Sequence, residues 1–176
     1  MDSINQQVDD VKKIVLTAMN KGLKKSVRFV KKETKEINKS AVNKLVYKTY
    51  TPKYYQRRKT LNGLQDNKNV IFDNPIFSEN GWSVSYELEF HNITRPNPIK
   101  YNKYGSHIDV KHKEFYNNYF LASMIDQGYG KKNKPYNKPR PFLNSIKERI
   151  EDNGYATFKI KELISEELVK VGIKIK

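Results

Sequence analysis

Acidic side chains on a predicted strand are the first group in this sequence that could do chemistry. Glu87 and Glu89 lie two residues apart, and Asp109 with Lys111 follows downstream. Clustered carboxylates beside a lysine hold the metal ions of nucleases, so a metal-dependent nuclease is one hypothesis. Strand alternation, however, places both glutamates opposite the apolar face, where solvent exposure explains their charge without a metal. The nuclease is therefore the most distant alternative.

The other residue types that catalysis or metal binding needs are scarce or unsuitably spaced. The histidines are His91, His107 and His112, and their spacing fits neither a zincin helix nor a zinc finger. The chain has no cysteine, which excludes a disulfide framework and a zinc–thiolate site. Its glycines stand at turns rather than in a phosphate-binding loop. The sequence therefore predicts a protein that is not an enzyme, with no catalytic, cofactor-binding or metal-binding residues.

Basic residues are the most abundant chemical feature. Lys and Arg total 34 against 19 acidic residues, and the net charge of +15 attracts polyanions such as DNA or an acidic protein. An AT-rich genome also encodes a lysine-rich composition, so charge alone does not choose a partner. Two basic clusters, 48–59 and 131–140, are interleaved with tyrosines, as in surfaces that bind single strands, and a DNA-binding protein is the main alternative function. The predicted contacts to DNA or to an acidic partner are Lys53, Lys59, Arg95, Lys100, Lys103, Lys131, Lys132 and Lys134.

A long amphipathic helix is predicted at the start of the chain. Apolar residues recur at steps of three and four from about residue 3 to about residue 47, and Pro52 prevents continuation beyond Tyr50. At 1.5 Å per residue such a helix would be roughly 65 Å long, so part of its apolar stripe is expected to meet another subunit. Gly22 is the expected place for a bend, and Thr34 is expected to interrupt the apolar seam.

Strand signals follow a basic loop. Residues 70–72 and 75–77 are apolar, a turn is predicted at residues 79–81, and residues 82–90 alternate between apolar and polar. The stretch at about residues 92–113 lacks a clear period and is expected to be a long basic excursion from the sheet. The predicted hairpin has one buried face that holds Trp82, Val84, Tyr86, Leu88 and Phe90.

The rest of the chain is predicted to be mostly helical. Helices are expected over residues 114–127, 141–152 and 160–171, and Ile173 with Ile175 could form a short final strand. The fold class is α+β, with a long N-terminal helix, an antiparallel β-sheet built around a hairpin, and two to three C-terminal helices packed on it. Residues 1–47 are expected to be an extended helix and residues 48–176 an α+β body.

Two features of the composition bear on location and assembly. No apolar run approaches the roughly 18 residues that a membrane span needs, and the polar, acidic start is not a signal peptide. The hydrophobic fraction of 37% is low for a compact monomer, which predicts that some apolar surface is buried only on assembly. The chain is expected in the cytoplasm, without membrane contact.

Three ordered motifs resemble the tail-completion (tail-component) family of long-tailed bacteriophages, best known from lambdoid phages. The first spans residues 50–58 and is similar to the family's Tyr-x-Pro-x-x-Tyr-x-Arg-Arg signature. The second, residues 121–128, is an apolar helix that ends in an acid and a glycine, and the third, residues 138–143, contains Arg-Pro-Phe. The stretch at about residues 96–113 is longer and more basic than the family pattern. The motif residues predicted to form interfaces are Tyr50, Pro52, Tyr55, Arg57, Arg58, Asp126, Gly128, Arg140, Pro141 and Phe142.

The resemblance implies a structural virion protein in the phage neck, which completes the tail and joins it to the head-side connector. It implies an α+β fold and a self-associating ring, with a hexamer favoured. The implied partners are the head-closure or connector protein, the tail-tube protein, the sheath if the tail contracts, and genomic DNA in the channel. No cofactor is expected. Among the motif residues, Arg140 is expected to pair with Asp126.

Overall fold

The computed structural model describes residues 2–49, 59–94, 121–131 and 134–174. The chain divides into two compact units. Unit 1 comprises Met1–Thr34, Phe72–Glu89 and Ile150–Lys176, and unit 2 comprises Lys35–Ile71 and Phe90–Arg149. The fold is α+β, as the sequence predicts, with a long N-terminal helix, antiparallel strand pairs and C-terminal helices.

The predicted long helix is confirmed. Helix α1 spans Asp2–Ala41 and continues directly into a π-helical segment, Val42–Tyr47. Its buried face begins at Ala18, and the side chains before that residue are exposed or half-buried. Thr34 does not interrupt this face, because the residue is buried and its hydroxyl donates to the Val30 carbonyl oxygen at 2.8 Å. A threonine can occupy a buried helix position when the preceding turn accepts its hydroxyl proton in this way.

Gly22 has a packing role that the sequence did not predict. It lies within α1, where an added Cβ would stand 2.6 Å from the Ile164 Cα and 2.9 Å from the Leu163 carbonyl oxygen. Both atoms are backbone atoms of the last helix and cannot rotate away as a flexible side chain would. The glycine therefore permits two helices of unit 1 to approach closely.

Four strands between residues 70 and 92 form two separate pairs. Strands β1 (Val70–Phe72) and β4 (Phe90–Asn92) pair in one two-stranded sheet, and β2 (Ile76–Asn80) pairs antiparallel with β3 (Ser83–Glu87) in another. In the hairpin register Asn80 lies opposite Ser83, so Gly81 and Trp82 are the two turn residues. Gly81 has a φ of +60°, which a glycine adopts without steric cost.

The predicted buried face of this hairpin is correct in its alternation and wrong at Trp82. Val84, Tyr86, Leu88 and Phe90 are all half-buried, and the residues between them are exposed. Trp82 is 51% exposed because it belongs to the turn and not to the strand. The Lys12 ammonium nitrogen lies 6.0 Å from the centre of its ring.

Further elements follow in unit 2. Helix α2 (Leu121–Gln127) coincides with the end of the helix predicted over residues 114–127, whose earlier part lies outside the described residues. A second antiparallel pair, β5 (Tyr129–Lys131) and β6 (Lys134–Asn137), lies between the helices predicted over residues 114–127 and 141–152. Helix α3 (Phe142–Glu151) begins directly after Pro141, as predicted. Within the described part of the chain, the strands thus form three two-stranded sheets rather than one larger sheet.

The last helix is longer at its start than predicted. Helix α4 spans Gly154–Lys170, because the Asn153 side chain accepts hydrogen bonds from the amides of Tyr155 and Ala156 and caps the first turn. At the other end, the Ile173 amide donates to the Leu168 carbonyl and the Gly172 amide to that of Val169. This is a Schellman motif with Gly172 at a φ of +87°. Ile173 therefore closes the helix and does not begin the predicted terminal strand.

None of the helices in the described ranges combines the length and the apolar character that a membrane span requires.

Candidate interaction surface

The first turns of α1 carry an exposed row of aliphatic side chains. Ile4, Val8, Val11 and Ile14 are each between 50% and 65% exposed, and we call them the N-terminal stripe. Their spacing of four, three and three residues places them on one side of the helix. The charged residues of the same turns, Asp9, Asp10, Lys12 and Lys13, lie outside this row.

An isolated helical segment of this length is marginally stable in water, and its stability in proteins comes from packing of its apolar face. In one copy of the chain, the N-terminal stripe lacks such packing. Aliphatic residues in a row at helical spacing are typical of a surface that another protein covers. The stripe is therefore the strongest candidate for an interaction site in the described residues.

Polar contacts hold the next part of α1 against α4 and the hairpin. The Lys25 and Lys170 ammonium groups each lie 2.5 Å from the same Glu167 carboxylate oxygen. The hydrogen bond from Lys170, followed by the one from Lys25, lowers the pKa of Glu167 to about 2. The Ser26 hydroxyl lies 3.5 Å from the Tyr86 hydroxyl on β3, and burial raises the pKa of Tyr86. These contacts tie α1 to α4 and to the hairpin.

Contacts of aromatic side chains add to this attachment. Phe29 of α1 and Tyr155 of α4 meet edge to face, with ring centres 5.7 Å apart. The Lys24 ammonium lies 5.8 Å from the Phe77 ring centre. The Asn20 amide also donates to the Glu79 carboxylate. The middle of α1 is thus held on both the α4 side and the hairpin side.

The opposite side of the same helical stretch is strongly basic. Residues 21–32 contain no acidic residue, and their basic side chains recur at helical spacing between the buried positions. All of them except the half-buried Lys31 are exposed. We call this set the basic ridge; it consists of Lys21, Lys24, Lys25, Arg28, Lys31 and Lys32.

The described motif residues lie around the start of α3. The Asp126 carboxylate accepts the Leu143 amide proton at 2.7 Å, so it supports the first turn of that helix. Burial raises the pKa of Asp126, and backbone hydrogen bonds from Leu143 and Phe142 partly offset this. Phe142 is completely buried within unit 2, whereas Pro141 is exposed. These residues hold the end of α2 against the start of α3.

Two further motif residues lie in the connection between α2 and α3. The Arg140 amide donates to the Ile125 carbonyl oxygen at 3.0 Å, and Gly128 has a φ of +79°. A side-chain pair between Arg140 and Asp126 stays a prediction. So does a subunit contact through these motifs.

Only some of the other predicted contact residues lie within the described ranges. Among the basic residues, Lys59 is exposed with a φ of 49°, and the backbones of Lys131 and Lys134 pair across β5 and β6. The others lie outside the described residues: Tyr50, Pro52, Lys53, Tyr55, Arg57, Arg58, Arg95, Lys100, Lys103 and Lys132.

Only some of the residues considered for catalysis lie within the described ranges. Glu87 and Glu89 are exposed, on the side of the strand run opposite the half-buried residues, as predicted. His91 lines an open cleft of about 220 Å³ in unit 2, together with Ser123 and Lys147. Asp109, His107 and His112 lie outside the described residues. That the protein is not an enzyme stays a prediction.

A buried polar cluster in unit 2 escaped the sequence reasoning. The Asn38 amide donates to the Leu64 carbonyl oxygen at 2.8 Å, and its own carbonyl oxygen accepts from the Asn92 amide at 3.2 Å. The Thr94 hydroxyl donates to the Asn92 side-chain oxygen at 2.6 Å. The available signal was the spacing of Ser26, Thr34 and Asn38, which continues the buried face of α1 in steps of four around Val30.

Comparison with known proteins identifies a family. The family model named YomN matches residues 7–166, which is nearly the whole chain. YomN is the name of a Bacillus phage-derived protein family, and this indicates a phage origin. No curated protein and no solved structure matches the chain. The match extends from the N-terminal stripe to the last helix, and the chain belongs to the YomN family.

Proposed function

We propose that the chain is a structural virion protein of the phage neck, which completes the tail and joins it to the head-side connector as an oligomeric ring. The observation that carries this proposal is the exposed N-terminal stripe, because a virion protein of this kind works through contacts with neighbouring copies. Membership of a phage-derived family supports the setting. The resemblance of the three motifs to tail-completion proteins favours the neck and a hexameric ring.

The occupant of the stripe in this proposal is a second copy of the chain. Copies that each carry a net charge of +15 repel one another, so self-association needs a surface of different charge. Residues 1–20 provide one, because their charged side chains are three acids, Asp2, Asp9 and Asp10, and two lysines, Lys12 and Lys13. The slightly acidic, apolar segment of one copy can therefore lie against the basic body of the next.

Burial of the stripe supplies part of the energy of association in a ring. Completing the burial of four half-exposed aliphatic side chains contributes on the order of 1 kcal/mol each. Each copy in a ring makes two such contacts, one with its own stripe and one with a neighbour's stripe, so ring closure multiplies the gain. A head-to-tail contact of this type produces a closed ring when its rotation closes.

The test of the neck function is genetic. In the phage that carries this gene, its inactivation is expected to leave filled heads and separate tails in the lysate, visible by electron microscopy. Complementation with the wild-type gene restores joined particles. If heads and tails are joined normally without the protein, the neck function is wrong.

A pair of matched variants links this function to the stripe. The variant with Ile4→Ser, Val8→Ser and Val11→Ser should fail to restore joined particles. The control carries Gln6→Ser, Asp9→Ser and Lys13→Ser, which alter exposed positions of the same turns, leave the net charge unchanged and should restore them. Equal complementation by both variants would remove the stripe from the mechanism.

A further inference from the structure

We propose that the basic ridge of α1 is a contact site for the phosphate backbone of double-stranded DNA. The sequence placed the expected DNA contacts in loops, at positions such as Lys53 and Lys100. The structure adds a site on a rigid helix in unit 1. This inference does not rest on the neck function, because it depends only on the charge and exposure of the ridge.

The charge density of the ridge suits a nucleic acid. From Lys21 to Lys32 a helix rises roughly 17 Å, so the basic side chains stand at about one per 3 Å of axis. Duplex DNA carries about one negative charge per 1.7 Å of its axis. The two linear charge arrays therefore agree within a factor of about two, and the helix keeps the cations from spreading apart.

The cations of the ridge differ in whether an acidic group within the protein already compensates their charge. Lys25 shares the Glu167 carboxylate with Lys170, whereas Lys24 and Lys31 lie over the rings of Phe77 and Phe72, which leaves their charge uncompensated. Lys21, Arg28 and Lys32 are exposed and have no carboxylate partner among the described residues. These three follow one another at steps of seven and four residues. They form the part of the ridge that can replace the counterions of a polyanion.

The character of the ridge favours DNA over an acidic protein. A protein interface gains most of its affinity from a central apolar or aromatic anchor, with charges at the rim. The exposed positions of the ridge are all cationic and contain no such anchor. A nucleic-acid backbone, in contrast, is held by charge and hydrogen bonds alone and releases counterions in proportion to the phosphates neutralised.

The same observation favours a duplex over a single strand. Proteins that bind single strands supply aromatic side chains on which unpaired bases stack. The ring of Phe29 is engaged with Tyr155, and the rings of Phe72 and Phe77 lie beneath lysines. The ridge therefore offers phosphate contacts without a stacking platform, which predicts sequence-independent binding to duplex DNA.

The test measures duplex binding by fluorescence anisotropy as a function of salt. The full-length protein is titrated into a labelled duplex of about two helical turns at several salt concentrations between about 50 and 200 mM. The test variant carries Lys21→Gln, Arg28→Gln and Lys32→Gln. Each phosphate contact contributes about 0.9 to the slope of log K against log salt, so the slope should fall by about three. At about 100 mM salt, the affinity should fall by roughly two to three orders of magnitude.

A second triple variant controls for overall charge. Lys44→Gln, Lys161→Gln and Lys174→Gln remove the same charge from exposed positions outside the ridge. Circular dichroism melts check that both variants keep the wild-type fold. The proposal expects the control to change the slope by less than one. Equal slopes for the two triple variants would overturn it, because the binding would then be general attraction to a cation.

Two competitors distinguish the nature of the ligand. Polyglutamate of matched charge represents an acidic protein, and an unpaired strand of matched length represents single-stranded nucleic acid. The duplex should displace both from the wild-type protein more effectively than either displaces the duplex. Tighter binding of polyglutamate would assign the ridge to an acidic protein, and tighter binding of the single strand would contradict the duplex.

Discussion

The first and second parts of α1 share one apolar period and differ in what covers it. Before Ala18 the apolar row is exposed, whereas from Ala18 to Thr34 it is buried against α4 and the hairpin. The charge differs as well, since residues 1–20 carry a slight acidic excess and residues 21–32 carry only basic charges. One continuous helix thus supplies both the attachment to its own fold and an exposed surface, which meets a second copy in the proposed ring.

The largest effect is expected where the helix is most tightly packed. Gly22→Ala places a methyl group 2.6 Å from the Ile164 Cα, so α1 and α4 must move apart. The expected net loss is about 3 kcal/mol, because overpacking against backbone atoms costs more than the gain of up to about 1 kcal/mol in helix propensity. Urea denaturation measures the change in the free energy of unfolding.

Gly154→Ala is the matched control for this prediction. Gly154 also lies in a helix, but a Cβ there would meet nothing within 4 Å. We expect a neutral result or a gain of up to about 1 kcal/mol. A similar loss from both substitutions would show that close packing at Gly22 is not the cause.

The next effect tests the buried polar cluster at the far end of α1. Asn38→Ala removes the amide that donates to the Leu64 carbonyl and the oxygen that accepts from Asn92, and leaves a cavity. The expected loss is about 2 kcal/mol in the free energy of unfolding. Asn5→Ala, on the exposed part of the same helix, should change it by less than about 0.5 kcal/mol. Equal losses of unfolding free energy from Asn38→Ala and Asn5→Ala would contradict the difference between the buried and exposed parts of α1.

The ion pairs of Glu167 should give the attachment of α1 a pH dependence. The folded-state pKa of about 2 lies below the ordinary value of 4.5, so this stabilisation is present above pH 4.5 and is lost as the pH falls towards 2. Glu167→Gln should therefore lower the urea midpoint at pH 6 more than at pH 3. Glu148→Gln, an exposed glutamate of α3, serves as the control. A pH-independent difference between wild type and Glu167→Gln would contradict this assignment.

The smallest effect on folding is expected at the N-terminal stripe itself. The variant with Ile4→Ser, Val8→Ser and Val11→Ser should unfold within about 0.5 kcal/mol of the control with Gln6→Ser, Asp9→Ser and Lys13→Ser. Both introduce the same residue at three exposed positions, so their losses of helix propensity are alike. The comparison is made by urea denaturation at a protein concentration at which both are monomeric. A much larger loss for the stripe variant would show that the stripe packs within its own fold.

The sequence predicted the positions of the helices and strands better than it predicted which of their residues are buried. The apolar period located α1, and Pro141 located the start of α3, because both signals depend on neighbouring residues. Nothing in that period distinguished Val11 from Val27, since burial depends on whether α4 and the hairpin reach that turn. For the same reason Gly22 suggested a bend, whereas its role is a close approach to Ile164, distant in sequence.

The sequence predicted an apolar surface on α1 for contact with another subunit, but it did not predict which residues form that surface. A stripe that meets another subunit was expected from the length of α1, but its limits became clear only when the burial of Ala18 was known. The sequence did not predict the ridge as a surface, because the common side of its basic residues emerges only once the buried side of α1 is known. The Asn38 cluster joins residues far apart in the chain, so no local pattern could have revealed it.

The most direct test of the central claim is the mass of the assembled protein. Sedimentation velocity at physiological salt should show wild type and the Gln6→Ser, Asp9→Ser, Lys13→Ser control as ring-sized species. The variant with Ile4→Ser, Val8→Ser and Val11→Ser should sediment as a folded monomer of 20.7 kDa. Assembly of that variant to the wild-type mass would contradict the account, because it would show that the exposed stripe is not what joins the copies.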